Sequence, residues 1–247
     1  MTTARLAEIR RHPIKGVGWE ALEAIDLAPG AALPRDRLWA IAHGASAFDP
    51  DAPAWLPRKN FLVVALSPRL AQARARWDGA RLSLTHPELD PLTADPETEG
   101  HRVADWAGAL ASDVQPAPYR LVRAPGAMTD MPDPWVSIGN LATLRALSQR
   151  MGIALHPGRF RANLWLDGLA PGEERGWVGG EIAIGPARLR VVEEIGRCRA
   201  TEANPESGRR DADVPRALPR AEGEAVFAVY AETLSGGRLA IGDAVSA

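Results

Sequence analysis

Short apolar runs alternate with segments rich in proline and glycine through the first hundred residues. Runs of this length, bounded by turn-forming residues, are typical of β-strands, so the pattern predicts strands at residues 6–9, 22–27, 38–42 and 61–66. Asp78 and Gly79 separate two further strand-like runs, 74–77 and 81–85. Because both positions tolerate a positive φ, this pair predicts a tight β-hairpin.

Two segments repeat apolar residues at helical spacing, which places them on one face of an α-helix. The first segment contains Val103, Trp106, Ala107 and Leu110, and the second contains Leu141, Leu144, Leu147 and Met151. The sequence therefore predicts two short amphipathic helices. We expect the second helix to begin at a cap formed by Asn140 or Ser137 and to end at Gly152.

The second half of the chain returns to strand-like patterns at residues 159–167, 181–184, 188–195, 225–234 and 238–241. In the first of these, an extended backbone would place the polar residues Arg159, Arg161 and Asn163 on one face. The charged segment 209–224 contains proline and predicts a mobile surface loop. Many short strands separated by turns are typical of a closed or nearly closed β-barrel.

These patterns predict an α+β fold that is mainly β, with a β-rich N-terminal domain packed on a barrel that carries a few short helices. Residues 112–134 are rich in proline, aspartate and glycine and show no clear periodicity. We therefore expect a boundary there and two domains, residues 1–115 and residues 116–247.

Composition narrows the range of functions. The formal net charge of −2 over 247 residues gives no general attraction to nucleic acid or to an anionic membrane, and we expect neither as a partner. The N-terminal segment lacks an apolar signal-peptide core, and the single cysteine excludes an internal disulfide, so we expect a cytoplasmic protein. The five histidines show no metal-ligand spacing.

The single cysteine, Cys198, follows an apolar run that predicts a strand and precedes a turn at residues 204–208. A lone cysteine is often a buried, inert apolar residue. The flanking residues here are Arg197 and Arg199, and nearby guanidinium groups favour the nucleophilic, metal-binding thiolate. The residues alone leave both interpretations open.

The sequence around Cys198 resembles the cofactor-ligand segment of the MOSC family, the molybdenum cofactor sulfurase C-terminal domain proteins. The similarity lies in Arg197-Cys198, Thr201 and the turn Asn204-Pro205-Glu206-Ser207-Gly208. Residues 159–164 and 236–245 also match this family. Residues 12–16 and 35–39 are similar to the β-barrel domain that precedes the MOSC domain in the mitochondrial amidoxime-reducing components and their bacterial relatives.

This resemblance implies a molybdenum cofactor whose metal is bound by the Cys198 thiolate. It also implies cofactor contacts from eight residues, namely Lys15, Arg37, Ser137, Arg161, Asn163, Arg197, Thr201 and Asn204. The family usually has serine after the lysine, whereas this chain has Gly16. A family-level association with pyridoxal phosphate binding follows from the same resemblance.

Each of these residues also has a purely structural interpretation. Lys15 can be a surface-turn lysine, Arg37 can form a surface pair with Asp36, and Ser137 can be an ordinary helix cap. Arg161 and Asn163 can lie on the solvated face of a barrel strand, while Thr201 and Asn204 can simply hold a turn.

The resemblance implies an oxidoreductase that removes oxygen from N-hydroxylated small molecules. Because a ferredoxin domain of the kind found in some relatives needs several cysteines, we expect a separate ferredoxin or flavoprotein as electron donor. A second hypothesis is a sulfur carrier that holds a persulfide on Cys198, or a protein that binds the cofactor without redox catalysis. A third hypothesis is a cofactor-free β-barrel binding module.

Overall fold

The computed structural model describes residues 4–123 and 125–247. Its strands are β1 (Arg5–Arg11), β2 (Glu20–Leu22), β3 (Ala24–Leu27), β4 (Trp39–Ala42), β5 (Arg74–Trp77), β6 (Leu82–His86), β7 (Leu89–Ala94), β8 (Arg120–Arg123), β9 (Val136–Asn140), β10 (Leu164–Asp167), β11 (Glu181–Ile184), β12 (Ala187–Gly196), β13 (Arg220–Ala221), β14 (Glu224–Ser235), β15 (Gly237–Ala240) and β16 (Val245–Ser246). The α-helices are α1 (Gly100–Gly108), α2 (Leu141–Met151) and α3 (Val214–Ala217). The predicted α+β class, mainly β, is confirmed.

The largest sheet among the described residues has the strand order β16-β11-β12-β14-β9-β10-β1-β2, with β13 paired to β14. Backbone hydrogen bonds from Leu6 N to Asp243 O (2.9 Å) and from Val245 N to Ala4 O (2.9 Å) join the chain around β16 to β1. The sheet therefore curls back on itself around an apolar core that includes Leu6, Ile138, Leu164, Leu189 and Val229. Strand β1 brings the N-terminal half of the chain into this barrel.

Three smaller sheets complete the fold, with strand orders β15-β3, β4-β8 and β5-β6-β7. A second apolar core lies between the β4-β8 and β5-β6-β7 sheets and helix α1, and it includes Ile14, Leu62, Val103 and Ala203. Ala203 belongs to the segment that follows Cys198. The loop that carries the cysteine is therefore anchored in the core of the N-terminal half.

Helix α2 forms as the sequence predicts. The side chain of Asn140 accepts a hydrogen bond from Ala142 N (2.8 Å), and Gly152 ends the helix in the left-handed conformation, with φ of 69°. Ser137, the alternative cap, lies inside β9 instead. None of the described helices is long and apolar enough to cross a membrane.

Several predicted elements are correct and others are wrong. The hairpin of β5 and β6 and the strands β1, β4, β11, β12, β14 and β15 lie where the pattern places them, whereas β7, β8 and β9 were not predicted. The run at 61–66 is not a strand, because it forms one bridge from Phe61 to Ala42 and then turns. Four of its six residues are buried, and a short continuous apolar run carries no period that separates a strand from a turn.

The polar segment before β10 also differs from its predicted form. Strand β10 begins only at Leu164, Arg159 lies in a 3₁₀ turn, and Arg161 has a φ of 50°. Arg161 and Asn163 therefore do not share one face of one strand. The segment 209–224 contains α3 and β13, and Val214 and Leu218 are buried in a third core, so it is not a simple surface loop.

Candidate functional site

A cleft with about 880 Å³ of space, part of it open to solvent, lies between the two halves of the chain. We call it the inner cleft. Among the described residues that line it, six are cationic and one is a carboxylate, namely Lys15, Arg37, Arg58, Arg159, Arg161, Arg197 and Asp130. Other lining residues include Trp135, Ser137, Asn163, Cys198, Thr201 and Tyr230. The cleft therefore carries an excess of positive charge and suits an anionic guest.

Cys198 lies directly after the β12 strand, in an extended conformation at the start of a 3₁₀ turn. The carbonyl oxygen of Cys198 accepts hydrogen bonds from Thr201 N (3.1 Å) and from Thr201 Oγ1 (3.0 Å). The residue is partly exposed and lines the inner cleft. Its thiol is therefore not sealed in an apolar core, and the Thr201 hydroxyl is used to hold the turn.

Lys15 is almost fully buried, with 4% of the residue exposed. Its Nζ donates hydrogen bonds to Thr129 O (3.0 Å) and to Asp130 Oδ1 (2.6 Å). Burial lowers the pKa of Lys15, and the Asp130 carboxylate opposes this effect. Lys15 is thus a buried cation at the cleft wall, and its interpretation as a surface-turn lysine is wrong.

Gly16 explains why this chain has no serine after the lysine. Its φ is 75°, and a Cβ atom at this position would collide with the carbonyl oxygen of Leu62. A left-handed backbone that lies against another backbone can be occupied only by glycine without strain.

Arg37 and Arg161 form a linked pair of cations. Arg37 pairs with the buried carboxylate of Asp36 and donates from Nη2 to Arg161 O (2.8 Å). Arg161 donates to Gly18 O (3.1 Å) and to Ile14 O (3.4 Å). Burial and the Arg37 charge lower the pKa of Arg161 to about 9. Because Asp36 is 3% exposed, its pair with Arg37 is not the surface pair that the sequence alone allows.

Arg197 precedes the cysteine and has one unpaired hydrogen-bond donor among the described residues. It donates from Nε to Phe227 O (2.9 Å) and from Nη1 to Phe160 O (2.8 Å), and burial lowers its pKa to about 10. Its Nη2 atom is buried and has no hydrogen-bond partner among the described residues. A buried donor without a partner is costly, so an acceptor on a guest in the cleft would stabilise this arginine.

Ser137 and Asn163 also line the inner cleft, but their side chains are engaged with each other. Ser137 Oγ donates to Asn163 Oδ1 (2.8 Å) and accepts from Asn163 N (3.0 Å), while Asn163 Nδ2 donates to Arg10 O (3.2 Å). These bonds tie β9 to the segment before β10. The pair shapes the wall of the cleft and fixes its position.

Asn204 is the one predicted site residue that does not line the inner cleft. Its Oδ1 accepts from Glu206 N (2.8 Å), and its Nδ2 donates to Asp211 Oδ2 (2.6 Å). Asn204 therefore holds the turn after the cysteine, which is the structural alternative. The other eight predicted residues, Lys15, Arg37, Ser137, Arg161, Asn163, Arg197, Cys198 and Thr201, meet in the cleft.

Sequence reasoning missed Arg58, Asp130, Trp135, Arg159 and Tyr230, which also line the cleft. Arg159 donates to Glu202 O (2.9 Å) and pairs with Asp211 (2.6 Å), and both partners lie in the segment after Cys198. The ring of Tyr230 lies 5.8 Å from that of Trp135, and burial raises the tyrosine's pKa. Arginine is abundant in this chain, so Arg58 and Arg159 gave no distinguishing signal.

A second cavity, which we call the outer groove, meets the inner cleft at Arg197, Cys198 and Tyr230. It encloses about 1660 Å³, including open solvent. Its lining includes five carboxylates and three cations, namely Asp130, Glu193, Glu194, Glu222, Glu224, Arg58, Arg197 and Arg220. The charged residues that line the inner cleft are therefore mainly cationic, whereas those that line the outer groove are mainly anionic.

The described residues contain no group of three or more His, Cys, Asp and Glu side chains that could hold a metal ion.

Two family models match the chain, the MOSC N-terminal beta barrel domain at residues 3–114 and the MOSC domain at residues 127–246. Among solved structures, the YUAD protein from Bacillus subtilis is 12% identical, with 98% of this chain and 94% of that chain covered and a TM-score of 0.45. YiiM from Geobacillus stearothermophilus is 19% identical, with 44% and 52% covered and a TM-score of 0.34. A search among curated proteins gives no match. The two family models together span nearly the whole sequence, and the chain therefore belongs to the MOSC-domain proteins with an N-terminal beta barrel domain.

Proposed function

We propose that this protein is an oxidoreductase that binds the molybdenum cofactor and reduces N-hydroxylated small molecules. The observation that carries the proposal is the position of Cys198, a partly exposed thiol at the junction of a cationic cleft and a wide groove. The MOSC family includes proteins related to this cofactor, and the resemblance around Cys198 supplies the expected ligand.

The residues of the inner cleft fit such a cofactor. Its phosphate is an anion, and the cleft offers the ammonium group of Lys15 and the guanidinium groups of Arg37 and Arg161. The unpartnered Nη2 atom of Arg197 is a further donor for a phosphate or pterin acceptor. Trp135 and Tyr230 supply aromatic surface for a planar ring system.

When bound, the molybdenum cofactor supplies two-electron oxygen-transfer chemistry. In the overall reaction the N–O bond of the substrate breaks, the nitrogen gains a hydrogen, and the oxygen leaves as water at the expense of two electrons and two protons. This chain would contribute the Cys198 thiolate as metal ligand, cations that hold the phosphate, and an outer groove through which the substrate reaches the cysteine.

Electrons would come from a separate ferredoxin or flavoprotein. The single cysteine of this chain excludes a cysteine-bound iron–sulfur cluster of its own. The donor, the association with pyridoxal phosphate and the cytoplasmic location stay predictions.

A sulfur carrier is the second candidate function, because a partly exposed thiol beside cations also suits a persulfide. The two functions differ in what the purified protein contains. A molybdenum enzyme carries metal and pterin, whereas a persulfide carrier gains one sulfur atom on Cys198 and carries no metal.

The test is metal and pterin analysis of protein expressed in a host that makes the cofactor, with Cys198→Ser as the matched variant. We expect near-stoichiometric molybdenum in the wild type, and its reduction of an amidoxime with a chemically reduced viologen as electron source. Cys198→Ser should lose this activity. Protein that lacks molybdenum but shows a persulfide by mass spectrometry would support the second candidate and contradict the first.

A further inference from the structure

Asp36 lies behind the wall of the inner cleft and does not line it. Its carboxylate is buried and accepts from three donors. Oδ1 accepts from His12 N (2.7 Å) and lies 3.3 Å from His12 Nδ1, while Oδ2 pairs with Arg37. Burial raises the pKa of this carboxyl, but Arg37 and His12 outweigh burial, so that the pKa is lowered and the group stays charged.

His12 acts on Asp36 and not on the cleft. The histidine is 1% exposed, and burial together with the Arg161 and Arg37 charges lowers its pKa well below the ordinary value. A neutral ring that donates from Nδ1 to the carboxylate leaves Nε2 without a proton. Nε2 indeed has no partner among the described residues. His12 is therefore a neutral donor that orients the carboxylate.

The carboxylate fixes Arg37 directly and acts on Arg161 only through Arg37, which donates to the Arg161 carbonyl oxygen. Arg37 and Arg161 both have a positive φ, 48° and 50°, which is uncommon for residues other than glycine. Arg37 is held by Asp36 on one side and donates to Arg161 O (2.8 Å) on the other. The backbone of Arg37 is also tied to His12, through a bond from Arg37 N to His12 O (2.6 Å).

We propose that Asp36, oriented by His12, is a positioning residue that holds the guanidinium groups of Arg37 and Arg161 together as a preorganised clamp for a tetrahedral dianion. The carboxylate supplies the negative charge that allows two like charges to lie side by side in a buried wall. This inference rests on the proposed function, because the dianion it serves is the phosphate group of the cofactor.

Asp36→Asn should change the affinity for an anion in the direction opposite to that expected from Coulomb attraction. Removal of a negative charge beside a cationic cleft should, by Coulomb attraction alone, tighten the binding of an anion. Loss of orientation should weaken it, because two misplaced guanidinium groups no longer meet the dianion together. We expect the second effect to prevail.

The experiment measures sulfate binding to the purified full chain by calorimetry, since sulfate keeps its double charge across the working pH range. Asp36→Asn should weaken sulfate binding by about tenfold, the size expected when a charge-assisted hydrogen bond is lost. The matched control is Asp105→Asn, which removes the same charge at an exposed position on α1. The control should bind sulfate as the wild type does.

His12→Gln provides a second test, and it keeps the buried ion pair of Asp36 and Arg37. Because His12 is neutral, this change leaves the net charge of the site unaltered and any weakening cannot be Coulombic. We expect a smaller loss of sulfate affinity. In NMR spectra, the slowly exchanging guanidinium protons of Arg37 should be lost in both variants and kept in the control.

The outcomes separate this inference from the proposed function. A wild type that binds sulfate, with Asp36→Asn and His12→Gln binding it equally well or more tightly, would overturn the positioning role and leave the cofactor proposal standing. A wild type that binds no sulfate would overturn the dianion clamp, while metal and pterin analysis decides the cofactor proposal separately.

Discussion

The inner cleft and the outer groove share seven lining residues, Arg58, Asp130, Ile195, Gly196, Arg197, Cys198 and Tyr230, but their overall charge is opposite. Five of the six inner-cleft cations are buried or half-buried, and their side chains bond backbone carbonyls or the carboxylates of Asp36, Asp130 and Asp211. The sixth cation, Arg58, is exposed. The outer groove is lined by carboxylates, several of them at the exposed β13–β14 turn. The inner side therefore suits an anion, and the outer side does not.

The two sides also differ in how they are built. Positive φ values occur on both sides, at Gly16, Arg37 and Arg161 in the inner cleft and at Glu222 and Gly223 in the outer groove, so the contrast lies in the side-chain contacts. In the outer groove, Glu193, Glu222 and Glu224 form no ion pair among the described residues. A rigid wall suits a resident cofactor, and a less constrained wall suits exchanging substrates.

The largest effect on anion binding should come from the loss of the Arg161 guanidinium in the inner cleft. In Arg161→Met the guanidinium that bonds Gly18 O and Ile14 O is lost, and with it one cation of the clamp. We expect sulfate affinity to fall about ten- to a hundredfold, as for loss of a charged hydrogen bond. Calorimetric titration measures this change. Arg188→Met, an exposed arginine on β12, is the control and should leave the affinity unchanged.

The rigidity of the inner wall can be tested at Gly16. Gly16→Ala forces a Cβ into the Leu62 carbonyl and strains a φ of 75°, and we expect it to lower the free energy of unfolding by about 2–4 kcal/mol. Gly30→Ala is the matched control, because Gly30 also has a positive φ, 63°, but nothing within 4 Å of the added Cβ. It should cost only about 1 kcal/mol. Equal losses in chemical denaturation would show that the Leu62 contact does not constrain the wall.

The smallest effect should come from the removal of one carboxylate charge in the outer groove. Glu224 packs over Gly196, two residues before the cysteine, and its carboxylate is exposed. If the groove admits substrate, Glu224→Gln should raise the KM for a cationic N-hydroxylated substrate by about two- to fivefold, because one exposed charge is lost. The KM for a neutral substrate should stay unchanged. Glu23→Gln, an exposed residue outside the groove, serves as control. Equal KM changes for both substrates would contradict a role for the outer-groove charge in substrate binding.

Part of the fold could be predicted because some of its elements have clear local signals. The β5–β6 hairpin follows from Asp78 and Gly79, and α2 follows from its apolar stripe, the Asn140 cap and Gly152. Strands β8 and β9 were missed because they lie in or beside a segment rich in proline and aspartate, where tertiary pairing and not local pattern decides the conformation.

The residues of the site could be predicted better than their backbone conformation and their hydrogen-bond partners. The chemistry of Lys15, Arg161 and Cys198 was visible through the resemblance, but the assumption that Arg161 lies on a regular strand failed because its backbone is left-handed. The partners that fix these side chains, Asp130 for Lys15 and the carbonyl oxygens of Gly18 and Ile14 for Arg161, come from distant parts of the chain. Contacts of this kind leave no periodic trace in a sequence.

The central claim is that the Cys198 sulfur binds molybdenum at the junction of the two cavities. X-ray absorption at the molybdenum edge tests it most directly, with wild type and Cys198→Ser loaded with cofactor in the same host. The account predicts that the variant has one sulfur ligand fewer than the wild type, with any bound metal otherwise similar. Identical sulfur coordination in the two proteins would contradict it.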